Sequence, residues 1–435
     1  MSALGTLAPG QPRFPHTVRR SIADTLIRSA LFVVAFLSVA TSLHPFPNLA
    51  EPRHITDVGD PINQIGFSAL FLTIGAWVYF NNPGRLTPLL RPALLALVGW
   101  CVLTVITSWE PSLAARRLAF ALVVMSIAAM MLLLPKNLRH FADLLAAVAL
   151  IALAACYLGV LLVPSLAIHQ ATDFVEAPLV GDWRGMFAHK NEAGSAMVLF
   201  IFIGLFVARV RSLALGAVIV ALAATFLIFT HSKTALALVL PVLLISTIIA
   251  RCRPAVGIAV TLAILATMNL FSIGSIFFES IGDVLGTILP DRSFTGRTDI
   301  WQFALHYVAL RPVTGYGFGA FWGTEHVVYG MGGGSIWENA AAQAHNSYLN
   351  LALIIGIPGT ALAVLWLVIL PLVDYYRSAS EPANVAPRLL FLRAWLFGAC
   401  ASSVESVFFQ IGEVWFLLLI AIFGLRLLSV MHLRS

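Results

Sequence analysis

Histidine 345 and asparagine 346 stand directly before an apolar run, in the stretch QAHNSYLNLALIIGIPGT at 343–360. The partial positive charge at a helix N-terminus disfavours the imidazolium form, so a neutral His345 ring can accept a proton there. Asn346 or Ser347 can cap the helix and leave the ring free to project outward. His345 is therefore a candidate general base, the alternative being an ordinary interfacial histidine.

Basic residues accompany a second apolar run. In GDWRGMFAHKNEAG at 181–194, Arg184, His189, Lys190 and Asn191 immediately precede the run. Guanidinium groups match phosphate oxygens with paired donors, so this stretch is a candidate anion site. The alternative is anchoring to lipid headgroups, which is common at any helix end.

Further candidates lie on the same predicted side of the membrane. They are Lys233 in a short turn, Arg116 and Arg117 after TSWEPSLAA, Arg297 and Arg311 at the two ends of an amphipathic segment, and Glu405 toward the outer end of an apolar run. An ionisable residue within a membrane is a functional candidate by default, and Glu405 needs a partner there: one of these cations or a substrate hydroxyl. Lys233 can alternatively snorkel to the interface, and the arginines can be solvated helix-end charges.

Neither a metal site nor a disulfide framework is predicted. The eleven histidines are scattered singly, whereas zinc requires a tight cluster of ligands. Cys101, Cys156 and Cys400 lie inside apolar runs and Cys252 in a turn, so no outside loop holds a pair that could oxidise. We expect no cofactor and no metal.

The elements that position these residues must be membrane helices. The chain has 435 residues, of which 60% are hydrophobic and 11% charged, with a mean hydropathy of +0.92. We therefore predict an all-α, polytopic integral membrane protein with a single membrane domain over 1–435. Its basic residues form no stripe with interleaved aromatics, which argues against a nucleic-acid partner.

Apolar runs of spanning length predict about twelve transmembrane helices. The runs are 24–43, 62–80, 92–108, 118–134, 141–163, 192–208, 213–230, 234–250, 254–272, 346–370, 389–409 and 413–430.

The distribution of charge predicts the orientation. With a cytoplasmic N-terminus, most lysines and arginines fall on the cytoplasmic side and most acids outside. Both termini are then cytoplasmic. The first run is not expected to be a signal peptide, because no A-x-A cleavage site follows it.

Two long outside loops, 164–191 and 273–345, should carry the function. The second contains GRTDIWQFALHYVALRP, in which Ile300, Trp301, Ala304 and Val308 share one helical face. We predict an amphipathic helix on the membrane surface that ends at Pro312. TGYGFGAFWG should form a compact turn with aromatics at headgroup depth or in a sugar platform, and YGMGGGS a mobile flap.

The stretch HNSYLNLALIIGIPG resembles a recurring motif of the O-antigen ligase and polymerase superfamily: His, then Asn, nine residues, Gly, two residues and Gly. The spacing holds from His345 and Asn346 to Gly356 and Gly359. WRGMFAHKNEAG, THSKTALA and GRTDIWQFAL resemble other blocks of this family, in family order. AHKN is similar to the branch of exopolysaccharide production proteins that polymerise repeat units.

This resemblance implies a polytopic glycosyltransferase of the GT-C type, with a donor oligosaccharide on undecaprenyl pyrophosphate at the outer face of the bacterial inner membrane. It implies inversion at the anomeric carbon without a metal, with catalytic roles for His345, Arg184 and Arg297 and a further candidate in Arg311. A glycan acceptor, membrane lipids and a chain-length regulator are the other expected partners.

The chemistry of the residues supports the same reaction. Leaving-group charge on a pyrophosphate needs cations, which Arg184, Arg297 and Lys190 can provide, and a hydroxyl nucleophile needs a base such as His345. The predicted substrate-binding residues are Lys190, Asn191, Lys233, Arg311, Asn346, Glu405 and Arg117.

Three other functions stay open from the sequence. A ligase to the lipid A core shares the donor chemistry and differs in the acceptor. A transporter of lipid-linked oligosaccharide would bind near the midplane, often within inverted repeats, but no clear repeat is found and the polar residues collect at one face. A membrane scaffold would not require His345 or the arginines.

Overall fold

A computed structural model describes residues 22–50, 60–173, 179–288, 297–328, 343–378, 384–410 and 412–430. Within these ranges the chain forms helices and connecting turns, and Ile168 pairs with Trp183 in an isolated antiparallel bridge. The YGMGGGS segment lies outside the described residues. The prediction of an all-α polytopic membrane protein is confirmed.

The longer helices are numbered here in chain order. They are α1 (Ile22–Ala40), α2 (Pro61–Asn81), α3 (Pro92–Ile106), α4 (Pro111–Met131), α5 (Leu138–Leu162), α6 (Lys190–Val210), α7 (Leu213–Thr230), α8 (Lys233–Ile249), α9 (Pro254–Phe271), α10 (Glu279–Ile288), α11 (Arg297–Leu310), α12 (Ser347–Arg377), α13 (Val385–Ala401) and α14 (Glu413–Val430). Short helical turns cover Pro83–Arg85, Thr87–Leu89, Pro164–Ala167, Gly274–Phe277 and Glu325–Val328.

Local sequence explains where several helices begin. Proline occupies the first position of α2, α3, α4 and α9, where its missing N–H costs no hydrogen bond. Asn137 and Ser212 cap α5 and α7 through their side-chain oxygens. Five of these six helices begin within three residues of the predicted run, whereas α4 begins at Pro111, seven residues before the predicted run 118–134.

Each predicted apolar run overlaps one of the helices α1–α9 or α12–α14. Among the described residues, nine helices are long and apolar enough to cross a membrane. The other three, α3, α8 and α13, have 15, 17 and 17 residues. The number of spans therefore stays a prediction.

Helices α6 and α14 form the centre of the bundle, because 72% and 78% of their apolar windows are buried in protein. Helices α6 and α7 approach closely at Gly204 and Gly216. A Cβ on Gly216 would lie 2.4 Å from the Gly204 carbonyl oxygen, so only a side chain without Cβ fits there.

The connections that the sequence predicts to lie outside join helices at one end of the bundle, called the His345 end below. There α1, α3, α5, α7, α9 and α13 finish and α2, α4, α6, α8, α12 and α14 begin. Hydrogen bonds join the connections to one another: Phe46 N to Met186 O at 3.0 Å, and Trp183 N to Phe229 O at 3.0 Å.

One predicted run ends earlier than expected. The run 389–409 was predicted to be helical with Glu405 inside it, but α13 ends at Ala401. The Ser402 carbonyl accepts a 2.8 Å hydrogen bond from Ser347 N. This bond to another helix holds the chain in a turn, so Glu405 lies outside α13.

Candidate active site

His345 sits at the start of α12, with Asn346 as the capping residue. The side-chain oxygen of Asn346 accepts hydrogen bonds from the backbone N–H groups of Tyr348 and Leu349, each at 3.0 Å. Its amide nitrogen donates to the Ser403 carbonyl at 2.8 Å. Asn346 is fully buried, so it holds the helix start and is not presented to a substrate, which differs from the predicted binding role.

Ser347 ties the start of α12 to the turn after α13. Its Oγ donates to the Glu405 carbonyl at 2.9 Å and accepts from Val407 N at 2.7 Å. Because Phe408 N also donates to Oγ at 3.2 Å and the backbone N–H of Ser347 donates to the Ser402 carbonyl, four hydrogen bonds fix the turn next to His345. The serine of the HNS motif thus positions Glu405.

His345, Glu405 and Arg297 form a connected group. The imidazole Nδ1 lies 3.1 Å from Oε2 of Glu405, and Nη2 of Arg297 donates to Oε1 of the same carboxylate at 2.7 Å. Nη1 of Arg297 donates to the Val404 carbonyl. The three side chains are 28%, 20% and 21% exposed, so the group is accessible from outside the bundle.

The electrostatics of the group keep Glu405 ionised. Burial favours the neutral carboxyl, but the hydrogen bond from His345 and the nearby charge of Arg297 outweigh it and hold the pKa of Glu405 below its usual value. An ionised Glu405 accepts Nδ1–H of His345, which leaves the Nε2 lone pair of a neutral ring available. Within the described part of the chain, Nε2 makes no hydrogen bond.

Helix α11 carries Arg297 and is fixed against the start of α12. Trp301 is fully buried, and its indole N–H donates to the Ala344 carbonyl at 2.8 Å. Ile300 and Ala304 are buried on the same face. The predicted amphipathic helix is therefore present, but its apolar face packs on protein, whereas we had predicted contact with the membrane surface; it ends at Leu310.

Gly356 of the family motif interrupts α12. Its φ of 71° and ψ of 176° are accessible almost only to glycine. The interruption frees carbonyl groups of the preceding turn, which accept hydrogen bonds from other segments. These are Tyr316 N to Leu353 O at 3.0 Å, Gly317 N to Ile354 O at 3.1 Å, and Trp100 Nε1 to Ile355 O at 2.8 Å.

The TGYGFGAFWG segment is a compact turn docked on this interruption. Its glycines 315, 317, 319 and 323 have positive φ, as a tight turn of this kind requires. Its aromatic side chains are buried: Tyr316, Phe318, Phe321 and Trp322 are 3%, 3%, 0% and 6% exposed. The predicted turn is found, but buried rings do not form a sugar platform.

Arg311 and Arg117 lie on the outer side of this turn. The guanidinium carbon of Arg311 is 5.0 Å from the Tyr316 ring centre and 5.9 Å from that of Trp109, in cation–π geometry. Arg117 donates through Nη1 to the Gly319 carbonyl. Both side chains are exposed at the surface of the protein.

A second group of charged residues joins the GDWRGMFAHKNEAG and THSK segments. Asp182 accepts from Lys190 Nζ at 2.5 Å and lies 2.6 Å from His231 Nδ1. Burial raises the pKa of Asp182, but the hydrogen bonds from Lys190 and His231 outweigh this and hold its pKa below the usual value. Lys190 is thus engaged in an ion pair at the N-terminus of α6.

The same region contains a buried histidine. His169 Nδ1 lies 2.9 Å from Oδ2 of Asp173, and its Nε2 accepts from the backbone N–H of Lys190 at 3.3 Å. Burial lowers the pKa of His169 and outweighs the opposite effect of Asp173. A neutral ring fits, because Nε2 must be unprotonated to accept that N–H.

The remaining predicted residues of this region differ in their exposure. Asn191 is partly buried, and its side-chain oxygen accepts from Ser232 Oγ at 3.1 Å. Lys233, at the start of α8, is exposed. The two segments therefore lie side by side at the His345 end.

Arg184 lies inside the protein. Its Nη1 donates to the Phe187 carbonyl at 3.2 Å and its Nη2 to the Pro47 carbonyl at 2.9 Å. The residue is 0% exposed, so its guanidinium is not presented to a phosphate in this conformation. Of the two arginines predicted to act with His345, Arg297 is the one bonded to the same carboxylate.

Sequence reasoning missed Asp182, His231, His169 and Asp173. Asp182 and His231 lie within the two segments that drew attention for their lysines. An acidic residue close to a lysine could have predicted this ion pair, since a poorly hydrated ammonium needs a counter-charge. His169 and Asp173 are four residues apart without a helix between them, so spacing gave no indication.

The fold and site define a polytopic α-helical membrane protein with a His–Glu–Arg group where α12 and α11 begin and α13 has just ended. Residues 196–364 match the family model described as O-antigen ligase. That range includes Lys233, Arg297, Arg311, His345 and the two motif glycines, whereas Arg184, Lys190 and Glu405 lie outside it.

A curated relative has a similar sequence. The chain is 28% identical over 231 residues to the exopolysaccharide production protein ExoQ of Rhizobium meliloti (strain 1021), covering 49% of this chain and 52% of that protein. The matched region is thus about half of the relative's length. Both similarities agree with the resemblance to the O-antigen ligase and polymerase superfamily noted from the motifs.

Proposed function

We propose that the protein is a glycosyltransferase that polymerises undecaprenyl-pyrophosphate-linked repeat units in exopolysaccharide biosynthesis. The observation that carries this proposal is the contact of Glu405 with both His345 and Arg297 at the ends of membrane helices. A lipid-linked donor keeps its tail in the bilayer, so catalytic groups must stand where helices meet the outside loops. The His345 end is such a place.

His345 acts as the general base in this proposal. Glu405 orients the ring through Nδ1, so Nε2 points its lone pair away from the carboxylate. As the acceptor hydroxyl attacks the anomeric carbon, its proton passes to Nε2 of His345 and the new glycosidic bond forms. The bond to the pyrophosphate breaks, and its electron pair leaves with the undecaprenyl pyrophosphate, inverting the configuration.

Arg297 stabilises the leaving group. Two of its guanidinium nitrogens bind Glu405 and Val404, which fixes the plane of the group, and its partial exposure leaves donors for a phosphate oxygen. Arg311 and Arg117, exposed on the neighbouring turn, supply further positive charge as the pyrophosphate approaches. In this proposal the guanidinium groups offset the charge of the leaving group, and the reaction requires no divalent metal.

The second charged group contributes to binding the glycan. Lys233 is exposed, and Lys190, Asn191 and Asp182 present polar atoms beside it. Arg184, which is buried beneath this segment, is proposed to hold it in place through the Phe187 and Pro47 carbonyls. Loss of Arg184 would then disturb the site without removing a phosphate contact.

Polymerisation is favoured over ligation by the name of the relative, an exopolysaccharide production protein. We further propose that the protein lies in the bacterial inner membrane with both termini cytoplasmic and the His345 end in the periplasm. In that orientation the site meets donors that have already been flipped outward.

Reconstitution tests the proposal. Purified protein in liposomes, supplied with lipid-linked repeat unit and no energy source, should produce longer glycan chains. His345→Ala should accumulate normally and extend the glycan roughly 10²- to 10⁴-fold more slowly. Movement of the substrate across the liposome without chain growth would instead support a transporter, and transfer only onto lipid A core would support a ligase.

A further inference from the structure

Helix α10 carries its apolar and polar residues on two different sides. Ile281 and Val284, three residues apart, lie on one side of the helix. Ser280, Asp283 and Thr287 lie on a second side, and all three are exposed. Val284 is 48% exposed although it is apolar, so the protein leaves the apolar side of the helix partly uncovered. This pattern is typical of a helix at the boundary between an apolar medium and water.

The apolar side continues into the connection that precedes α10. Phe277 and Phe278 are 63% and 53% exposed. Leu270 and Phe271, in the last turn of α9, are exposed as well. Exposed apolar side chains therefore follow the chain from the end of α9 into α10. Neighbouring apolar side chains of this kind mark a surface that meets an apolar partner.

Helix α9 identifies that partner. It is long and apolar enough to cross a membrane, and 17% of its apolar window is buried in protein, so most of its surface faces acyl chains. Seven residues, 272–278, separate α9 from α10, and α10 contacts both α9 and the turn Gly274–Phe277. Phe278 N donates to the Gly274 carbonyl at 3.1 Å, and Ile281 N to the Phe278 carbonyl at 3.0 Å. These contacts hold α10 near the level at which α9 leaves the apolar core of the membrane.

The charge of this stretch restricts how it can meet a membrane. Residues 273–288 contain two acids, Glu279 and Asp283, and no lysine or arginine. Attraction to anionic headgroups therefore cannot hold α10 at the surface, and burial of its apolar side chains must do so. A bilayer of neutral lipid is sufficient for this contact.

We propose that α10 lies in the membrane interface at the His345 end, with Phe278, Ile281 and Val284 between the headgroups and the upper acyl chains. Helix α10 thus takes the position that the sequence predicts for α11, which packs on protein instead. Helix α9 joins this surface to the candidate site, because Asn346 Nδ2 donates to Asn269 Oδ1 of α9 at 3.2 Å. The depth of α10 therefore also fixes the depth of the start of α12, whether or not the site transfers glycosyl units.

Fluorescence quenching tests the depth of α10. Full-length protein with Cys252→Ser receives one cysteine, by Val284→Cys or Asp283→Cys, and is labelled with bimane in phosphatidylcholine nanodiscs; the other three native cysteines are buried. Nitroxide lipid should quench the label at position 284. A nitroxide near the glycerol should quench it more than one at the chain terminus, because an interfacial helix buries its apolar side by about 5 to 10 Å. Iodide in the buffer should quench the label at position 283 more strongly than the label at 284.

Two further variants complete the experiment. Leu270→Cys is the control for lipid contact, because Leu270 is an exposed residue of α9, and nitroxide lipid should quench its label. Phe278→Cys provides a second position on the apolar side if Val284→Cys does not fold. Iodide quenching at position 284 without quenching by nitroxide lipid would place α10 in water and overturn the proposal. Protection of position 284 from both quenchers would mean that another segment of the chain or a second copy covers this side, which would overturn it as well.

Discussion

Replacement of Glu405 by glutamine is the most informative perturbation of the candidate site. The amide has nearly the same shape as the carboxylate but only one oxygen. In the protein, both His345 Nδ1 and Arg297 Nη2 point hydrogen-bond donors at the two carboxylate oxygens. The variant therefore directs an NH₂ group at one of two donors, and at least one of these hydrogen bonds is lost.

The magnitude follows from what Glu405 does during transfer. His345 gains a proton in the transition state, and the carboxylate at 3.1 Å stabilises the resulting imidazolium. Hydrogen bonds to charged groups contribute about 1.5 to 3 kcal/mol, which corresponds to roughly 10- to 150-fold in rate. Because the side chains are 28% and 20% exposed, solvent screening places the effect in the lower half of that range.

The assay is chain growth from lipid-linked repeat units by purified protein, with kcat and KM measured separately. Glu405→Gln should lower kcat and leave KM nearly unchanged, because the carboxylate acts through His345 and Arg297 in this scheme. Glu110→Gln is a matched control: Glu110 lies 3.5 Å from His326 in another His–Glu pair, with side chains 40% and 54% exposed. It should retain wild-type kcat.

The thermal unfolding midpoints of both variants must be measured alongside the rates. If Glu405→Gln kept more than half of the wild-type kcat while remaining folded, the proposed orienting role would be refuted. A rise in KM with unchanged kcat would instead indicate direct contact of Glu405 with the sugar.

The remaining predictions concern the base, the metal, the second charged group and the interrupted helix. His345→Ala should reduce transfer by roughly 10²- to 10⁴-fold, the usual contribution of a general base, while membrane abundance measured by immunoblot is unchanged. Transfer in detergent should survive EDTA, since arginines balance the leaving-group charge; a strict Mg²⁺ requirement in the same assay would contradict this. Asp182→Asn should lower the free energy of unfolding at pH 7 by about 1.5 to 3 kcal/mol. Because the folded pKa of Asp182 is depressed, the deficit should persist above the unfolded pKa of about 3.9 and disappear as the pH falls through the lower folded value. Gly356→Ala should destabilise the fold by at least about 3 kcal/mol, because its φ is 71° and an added Cβ would lie 1.9 Å from the Val313 carbonyl oxygen. Gly99→Ala, with open space around the added Cβ, should be neutral or stabilising by about 0.5 to 1 kcal/mol in the same thermal denaturation series.

Hydropathy was sufficient to predict helices α1–α9 and α12–α14 because a membrane helix satisfies its own backbone and needs a long apolar run. Polar turns were harder to place. The run 389–409 looks continuous, yet α13 ends at Ala401 because Ser347 takes the Ser402 carbonyl. That bond joins residues 55 positions apart in the chain, and no local pattern reports it. Because this long-range hydrogen bond ends α13, the position of Glu405 outside the helix could not be predicted from the sequence either.

The candidate site shows a similar division between local and long-range information. His345 next to a capping residue, and Arg297 at a helix start, could be read from adjacent residues. The burial of Arg184 and Asn346 could not, because burial depends on which carbonyl groups surround them: those of Pro47 and Phe187 for Arg184 and of Ser403 for Asn346. The buried aromatics of 316–322 were misplaced for the same reason, since glycine and aromatic content predicts a turn but not its depth.

The HNS motif and the two motif glycines belong to one helix, α12, and fix its contacts at two different places. At its start, Asn346 and Ser347 bind the turn that carries Glu405, which brings the carboxylate to His345. Further along α12, Gly356 interrupts the helix. The carbonyl groups that this interruption frees accept hydrogen bonds from the segment that follows α11. Arg297 is the first residue of α11. Its position relative to Glu405 therefore depends on the hydrogen bonds at the start of α12 and on those at Gly356. A substitution at Gly356 should therefore slow transfer even though it lies outside the His–Glu–Arg group, because it loosens the helix that carries Arg297.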